Sequence, residues 1–449
     1  MRSGGFQHIS CAVLLAWLVS IQTARADAAE VTEYTLENGL RVFLAPEANA
    51  AGIVLVVRYN TGAAHDPQGY AGLAHLAEHL TFRGSKHLRP LQSFELIDQV
   101  GGGANGVTSA EHTNYYTYLP ARALPLGLWI ESERMAFALD AIDETALRLE
   151  RKVVQNEYHE HTGSLAHYVR ARHQVKLYGE DHPLAVTPED AADQVSDISL
   201  RDVQWFLQSV YRPDNAAIAI VGKVDVVQAR KMLADYFGPI KQHRVPQPSS
   251  RLTPPILCGT HRIEVGHAYG FGNTFSVTWP IPRPRTRAER MHFAALKYLL
   301  DTSLTQTLVK EQFMATGVDS SLTVYAAHAL FSVEVTMIAP ADTKQLEPKI
   351  IAAVDTLTRQ PLQAPELQNL RTIMATAATF ARKDLLRRAY SILDGEDTTH
   401  NAADARRLDA AGIQAAARLL TQRRLVVNSQ PRRWVSQGTA ITDEDNPCH

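Results

Sequence analysis

His75, Glu78 and His79 stand together in GLAHLAEHL (residues 72–80), two imidazoles four residues apart with a carboxylate just before the second. At about 100° per residue on a helix, Leu73, Leu76, Ala77 and Leu80 share one face, and the three ionisable residues share the opposite one. Side chains at i and i+4 are neighbours, so both imidazoles can reach one cation. Glu78 then sits where it can accept a proton from water on that cation, the chemistry of metal-assisted hydrolysis. The bland alternative is an amphipathic helix that carries histidines by chance.

A catalytic zinc also needs a third protein ligand and an open position. The helical stretch RLERKVVQNEYHEH (148–161) offers Glu150, Glu157, His159 and Glu160. Glu150 and Glu157 lie two turns apart along one face, with Val153 and Val154 read as core-facing residues between them. Spacing alone leaves the choice among the four open, and a glutamate-rich helix is often only a solvated surface.

The elements that must position these residues read as follows. VTEYTL and LRVFLA are strands around the turn Glu37-Asn38-Gly39, and AGIVLVVRYN is a third strand before the histidine helix. GGGANGVTSA and HTNYYTYLP form a strand pair around Glu111, long helical patterns run from about Ala123 to Tyr178, and DNAAIAIVGKVD is a strand entering a helix. KQHRVPQPSSRLTPP concentrates proline and serine, as an exposed linker does. Beyond it the order restarts: FSVTWPIP as a strand, a helical pattern from about Arg287 to Phe313, the strand pair SSLTVYAAHALFSVEVTM, two long helices and the strand RLVVNS. The expectation is a duplicated α/β unit of α+β class, with mixed or antiparallel sheets packed against helices. Its bounds would be a catalytic domain over 27–240, a linker over 241–262 and a homologous domain over 263–449.

The chain is 449 residues long, with 45 Lys+Arg against 47 Asp+Glu, and this near-balance argues against a nucleic-acid or anionic-membrane binder. Arg2, the apolar run Ile9 to Ile21 and the small residues ending Ala24-Arg25-Ala26 read as a signal peptide over 1–26. Export to a periplasm, or secretion, is therefore expected, with no later membrane span. A retained anchor is the alternative. Cleavage would leave Cys258 and Cys448, as a disulfide or as two thiols.

The motifs together resemble the inverted-zinc (H-x-x-E-H) metallopeptidases that include pitrilysin, insulin-degrading enzyme and mitochondrial processing peptidase. HLAEHLTFRGSKHLRP is similar to the family's first motif and LERKVVQNE to its second, at the expected distance. NGVTSAEHTNYY resembles the strand pair between them, and YRPDNAAIAIVGKVD the end of the catalytic half. The resemblance covers nearly all of the mature chain, strongly in the first half and weakly in the second. It implies His75, His79 and Glu157 as ligands of one zinc per chain, Glu78 as general base and Glu150 in support. It also implies Asn105 and Gly106 on the strand that pairs with substrate backbone, and two homologous α/β halves forming a clam-like chamber. The implied activity is endopeptidase action on extended peptides through a zinc-activated water, with broad specificity because main-chain pairing ignores side chains.

The sequence departs from that family in its second half. Members that work alone carry an arginine and a tyrosine there that hold the substrate. In LVKEQFMATGVDSS, Lys310 stands at the arginine position and Asp319 or Ser320 at the tyrosine position, and no arginine lies between Arg290 and Arg359. Lysine lacks the planar multi-donor fork of arginine. His292, in HFAAL, has no Glu-His partner. The expectation is the zinc-bearing subunit of a heterodimer whose zinc-less homologous partner supplies the missing arginine and tyrosine. The competing readings are a non-catalytic scaffold subunit and a zinc-storage protein, and the second leaves Glu78 without a purpose.

Overall fold

The structure is a computed structural model and describes residues 31–162, 165–241, 245–267, 273–338, 343–395 and 401–431. The expected signal peptide and Cys448 lie outside the described residues; Cys258 is disulfide-bonded.

The first half contains strands β1 (Thr32–Thr35), β2 (Arg41–Pro46), β3 (Ile53–Tyr59), β4 (Gly103–Thr108), β5 (Thr113–Leu119) and β6 (Ala216–Gly222). They form one sheet in the order β1-β2-β6-β3-β5-β4. Its helices are α1 (Leu73–Leu80), α2 (Gln92–Gln99), α3 (Leu124–Phe137), α4 (Glu144–Thr162), α5 (Leu165–Tyr178), α6 (Pro188–Asp197), α7 (Leu200–Val210) and α8 (Val226–Phe237). The second half holds β7 (Thr260–His267), β8 (Asn273–Ile281), β9 (Ala315–Val324), β10 (Ala329–Met337) and β11 (Arg424–Pro431), in the order β7-β11-β8-β10-β9. Around it lie α9 (Arg287–Leu304), α10 (Leu346–Arg359), α11 (Ala364–Ala381), α12 (Leu385–Leu393), α13 (Asn401–Arg406) and α14 (Ala410–Leu419).

The two sheets share one topology. In each, a parallel pair (β2 with β6, β7 with β11) is followed by three antiparallel neighbours, ending on an edge strand, β4 or β9. The expected α+β duplication is therefore present, with β1 as an addition to the first sheet. β7 opens at Thr260, inside the stretch read as linker; its partner β11 is distant in sequence, so no local turn marked it. The long helix expected up to Phe313 ends as α9 and continues as a π-helical turn over Thr305–Glu311.

Burial explains why β3 is apolar at almost every position. Ile53, Leu55, Val57 and Tyr59 face one core with Leu73, Leu76, Ala77 and Leu80 of α1. The alternate residues Val54 and Val56 face a second core with Ala389 and Ile392 of α12. α12 comes from the second half. Conversely Leu177 and Tyr178 of α5, from the first half, pack on Ile263, Val265, Leu425 and Val427 of the second sheet. Each half thus lends a helix to the far face of the other's sheet. Glu47 after β2 fixes one of these helices by accepting from Arg382 (2.7 Å) and from Arg388. Arg58 of β3 pairs with Asp394 at 2.5 Å.

Candidate functional site

An eight-residue helix is too short to persist alone, so α1 is held by its surroundings. Its apolar face is fully buried against β3. At its start Asp66 accepts from the amides of Gly72 (2.9 Å) and Ala74 (2.8 Å), satisfying donors that no side chain at the N-cap reaches. Burial pushes the Asp66 carboxyl up to about 7, against the amide hydrogen bonds that lower it. At its end Arg134 donates to the Thr81 carbonyl at 3.1 Å, placing a cation by the helix C-terminus. Gly72 has φ +89°, and a Cβ there would meet Val195 and the Tyr158 hydroxyl.

α4 packs across α1 and brings one of its four candidate groups to the two imidazoles. The Glu157 Oε2 atom lies 3.5 Å from His75 Nε2 and 3.4 Å from His79 Nε2. These three side chains form the one group of possible metal ligands among the described residues. Donor atoms around a tetrahedral zinc, each about 2.0–2.1 Å from the ion, lie roughly 3.3 Å apart, so the observed spacing and the N,N,O donor set fit zinc. Glu150, two turns earlier, faces the back of the ring instead, with Oε2 3.1 Å from His79 Nδ1. Its other oxygen pairs with Arg83. His75 Nδ1 stands 3.3 Å from the Tyr158 hydroxyl. Each imidazole is thus gripped at Nδ1, which turns Nε2 toward Glu157.

Glu78 is buried rather than outward-facing. It fits between α1 and β4 because residue 106 is glycine: a Cβ there would lie 2.5 Å from Glu78 Oε1. Thr108 donates to Glu78 Oε2 at 2.5 Å. Burial pushes the Glu78 carboxyl up, opposed by the Thr108 bond and by the charges of His79 and Arg134, with Glu157 adding to the rise. Burial works to lower His79, but the Glu150 bond and the carboxylates of Glu157, Glu150 and Glu78 reverse that and raise it. The site is therefore rich in negative charge, as a cation site should be.

β4 is an edge strand, bonded only to β5 among the described residues. Asn105 is exposed on it, and its Oδ1 accepts from the Gly106 amide at 2.9 Å. His159 and Glu160 are exposed on α4, outside the ligand group. Val153 is corrected: it is 39% exposed and lies on the flank of α4, while Val154 alone is buried. Lys310 is exposed at the end of the π-helical turn, Asp319 pairs with Lys297 at 2.8 Å, and Ser320 is wholly buried. His292 lies 3.3 Å from Asp409. Sequence reasoning missed Asp66, Arg83, Thr108, Arg134 and Tyr158. Thr108 had a usable signal: alternation on β4 puts it on the same face as Gly106. Arg83 stands inside the first motif and Tyr158 next to Glu157, but nothing in their spacing gave them a role, and Asp66 and Arg134 carried no signal.

Two family models match the chain in series, "Insulinase (Peptidase family M16)" over residues 42–181 and "Peptidase M16 inactive domain" over residues 197–374. The first range contains every candidate ligand and the second contains none. The chain is similar to the zinc protease PqqE of Helicobacter pylori, 29% identical over 235 residues that cover 51% of this chain and 51% of that protein. It thus spans about half the length of such curated relatives in these matches. Its fold is like that of a crystallised protease from Helicobacter pylori, with TM-score 0.79 and 22% identity over 90% of this chain and 99% of that one. It is also like the periplasmic protease PqqL from Escherichia coli, with TM-score 0.74 and 17% identity over 90% of this chain but 48% of that longer one. On these matches and this fold, the chain belongs to the insulinase family, peptidase family M16, the family of pitrilysin and mitochondrial processing peptidase.

Proposed function

We propose that the chain is a zinc-dependent endopeptidase acting on peptides or unfolded segments, with His75, His79 and Glu157 holding one zinc and Glu78 as general base. The observation that carries this is the convergence of three ligand atoms beside a buried carboxylate under an open strand edge. Zinc held there supplies Lewis acidity toward water and the peptide carbonyl. The side chains do the rest. Glu150 and Tyr158 hold the two rings, and β4 offers main-chain groups around Asn105 and Gly106 to an extended peptide. Glu78 takes the proton of the attacking water and delivers it to the leaving amine. Thr108 and Gly106 keep its carboxylate at the strand that would carry the substrate.

Zinc content and hydrolysis of a quenched peptide, compared between the wild type and Glu78→Gln, test this reading. Glu78→Gln is expected to keep its zinc and to lose about a hundredfold or more in kcat. Unchanged turnover would remove Glu78 from the role of base. A scaffold subunit would have no use for a base fitted this closely against a glycine, so catalysis is the better-supported reading.

The chain is further proposed to act with a homologous zinc-less partner. With Asp319 tied to Lys297 and Ser320 buried, neither offers a group to grip substrate, and PqqL carries about twice this length in one chain. A purified chain that cleaves as fast alone as with any added partner defeats this proposal. The signal peptide expected over residues 1–26 would direct export to a periplasm or beyond, and among the described residues no helix is long and apolar enough to cross a membrane.

A further inference from the structure

The β4–β5 turn of the first half meets the β9–β10 turn of the second. Glu111 accepts from the Ala326 amide at 3.0 Å, and Arg283 donates to the Ala326 carbonyl at 3.3 Å. Beside this junction lies a cavity of about 740 Å³, large enough for several peptide residues. Thr108, which bonds Glu78, lines it, so the cavity begins where the open edge of β4 ends.

The walls are polar in a particular way. Four arginines line the cavity against two carboxylates, Glu111 and Asp394. Asp394 is taken by Arg58, and Glu111 is held by the Ala326 amide and lies near Arg283, so the uncompensated charge centres on Arg170. Arg170, on α5, is exposed and makes no ion pair among the described residues. Four residues along, hence on the same helix face, Gln174 is 7% exposed, and its buried Oε1 has no hydrogen-bond partner. A buried amide oxygen without a donor is costly unless something else supplies one. Cationic excess and an orphaned acceptor on one cavity wall call for a ligand that carries both a carboxylate and an N–H group.

We propose that this cavity is a subsite for a carboxylate of the bound peptide, held chiefly by Arg170 with Arg283 beside it, and with Gln174 accepting from the neighbouring peptide amide. The inference rests on the peptidase reading and deepens it, because a peptide lying along β4 would run into the cavity past Thr108. The carboxylate is either an acidic side chain or the free C-terminus of the substrate.

Binding of fluorescent peptides to the Glu78→Gln protein, followed by anisotropy, separates these sources. The peptides share one parent sequence, with Glu or Gln at each position in turn and a free or amidated C-terminus. At one position Glu is expected to bind about tenfold tighter than Gln. If the source is the C-terminus, the acid should instead exceed the amide by that factor. Arg170→Gln and Arg283→Gln should each erode the preference, and Arg170→Glu should reverse it so that Gln binds better than Glu. Gln174→Leu should weaken acidic and neutral peptides alike. A preference absent from every peptide, or unchanged in both arginine variants, overturns the subsite. Wild-type cleavage of the neutral parent peptide reports on the peptidase reading separately. A carboxylate preference without cleavage, by the chain alone and with its homologous partner added, leaves the subsite standing and removes the peptidase, and cleavage without preference does the reverse. Failure of every peptide to bind overturns both.

Discussion

Glu78 is 5% exposed, and the missing side chain at Gly106 is what lets it lie against β4. Gly106→Ala would put a methyl group 2.5 Å from Glu78 Oε1, well inside contact distance, and β4 is held by β5 on its other side. The carboxylate is the softer of the two and must move. Gly106→Ala is therefore expected to lower kcat at least about tenfold, because misplacement of a catalytic group by an ångström is costly. Zinc content should hardly change, since no ligand touches residue 106. Full activity in a zinc-loaded Gly106→Ala protein would show that Glu78 does not work from its observed position. The histidine pair and Glu78 were legible in sequence because the helical period alone places them together. That Glu78 is buried was not legible, because its cover comes from a strand some thirty residues further on.

α4 presents two glutamates to the site, and seven-residue spacing lets one helix serve both sides of the same imidazole. Glu157 reaches His79 Nε2 at 3.4 Å, while Glu150 reaches His79 Nδ1 at 3.1 Å and is braced by Arg83. A carboxylate at the remote nitrogen fixes ring orientation and tautomer. Glu150→Gln should accordingly weaken zinc binding about 10–100-fold with the fold retained, as read by competition against a chelating dye. An unchanged zinc affinity would reduce Glu150 to a surface partner of Arg83. The sequence showed the period of α4, but four acidic or imidazole groups on it fitted a metal role about equally well. The crossing of α4 over α1 brings Glu157, the glutamate that the family resemblance implied, to both imidazoles, and it leaves Val153 on the exposed flank.

Interlocking of the halves makes the molecule one cooperative unit, since α5 and α12 each complete the core of the opposite sheet. The seam also carries two histidines held neutral, His328 buried and His173 half-buried. Burial first, then Arg170, brings His173 down to about 4; burial first, then His182 and Arg423, brings His328 to about 4. His173 Nε2 lies 2.9 Å from the Thr278 hydroxyl, and His328 Nε2 lies 2.6 Å from the Tyr178 hydroxyl beside Tyr325. With folded values below the ordinary 6.5, the unfolded chain binds more protons between pH 6.5 and 4. Their contribution is complete above about 6.5 and is lost as pH falls toward about 4. Urea midpoints should therefore drop steadily from pH 7 to 4.5, with a shallower drop in His328→Gln. Midpoints that stay level over that range in the wild type would mean these rings are not held neutral as described.

By itself the sequence determined what depends on period and local chemistry. It gave the two imidazoles and a carboxylate on one short helix, the apolar strand IVLVVRY, the repeated order of elements and the family to which they belong. These follow from spacings of a few residues, or from motifs that survive as contiguous stretches. Tertiary structure decided that Glu157 reaches both imidazoles, that Gly106 and Thr108 seat the Glu78 carboxylate, and that each half lends a helix to the other. It also created the arginine-lined cavity, whose walls come from residues more than a hundred positions apart. No helical or strand period links residues so distant. Their meeting is fixed by how two sheets pack, and GLAHLAEHL becomes a site only because that packing brings α4 and β4 to it.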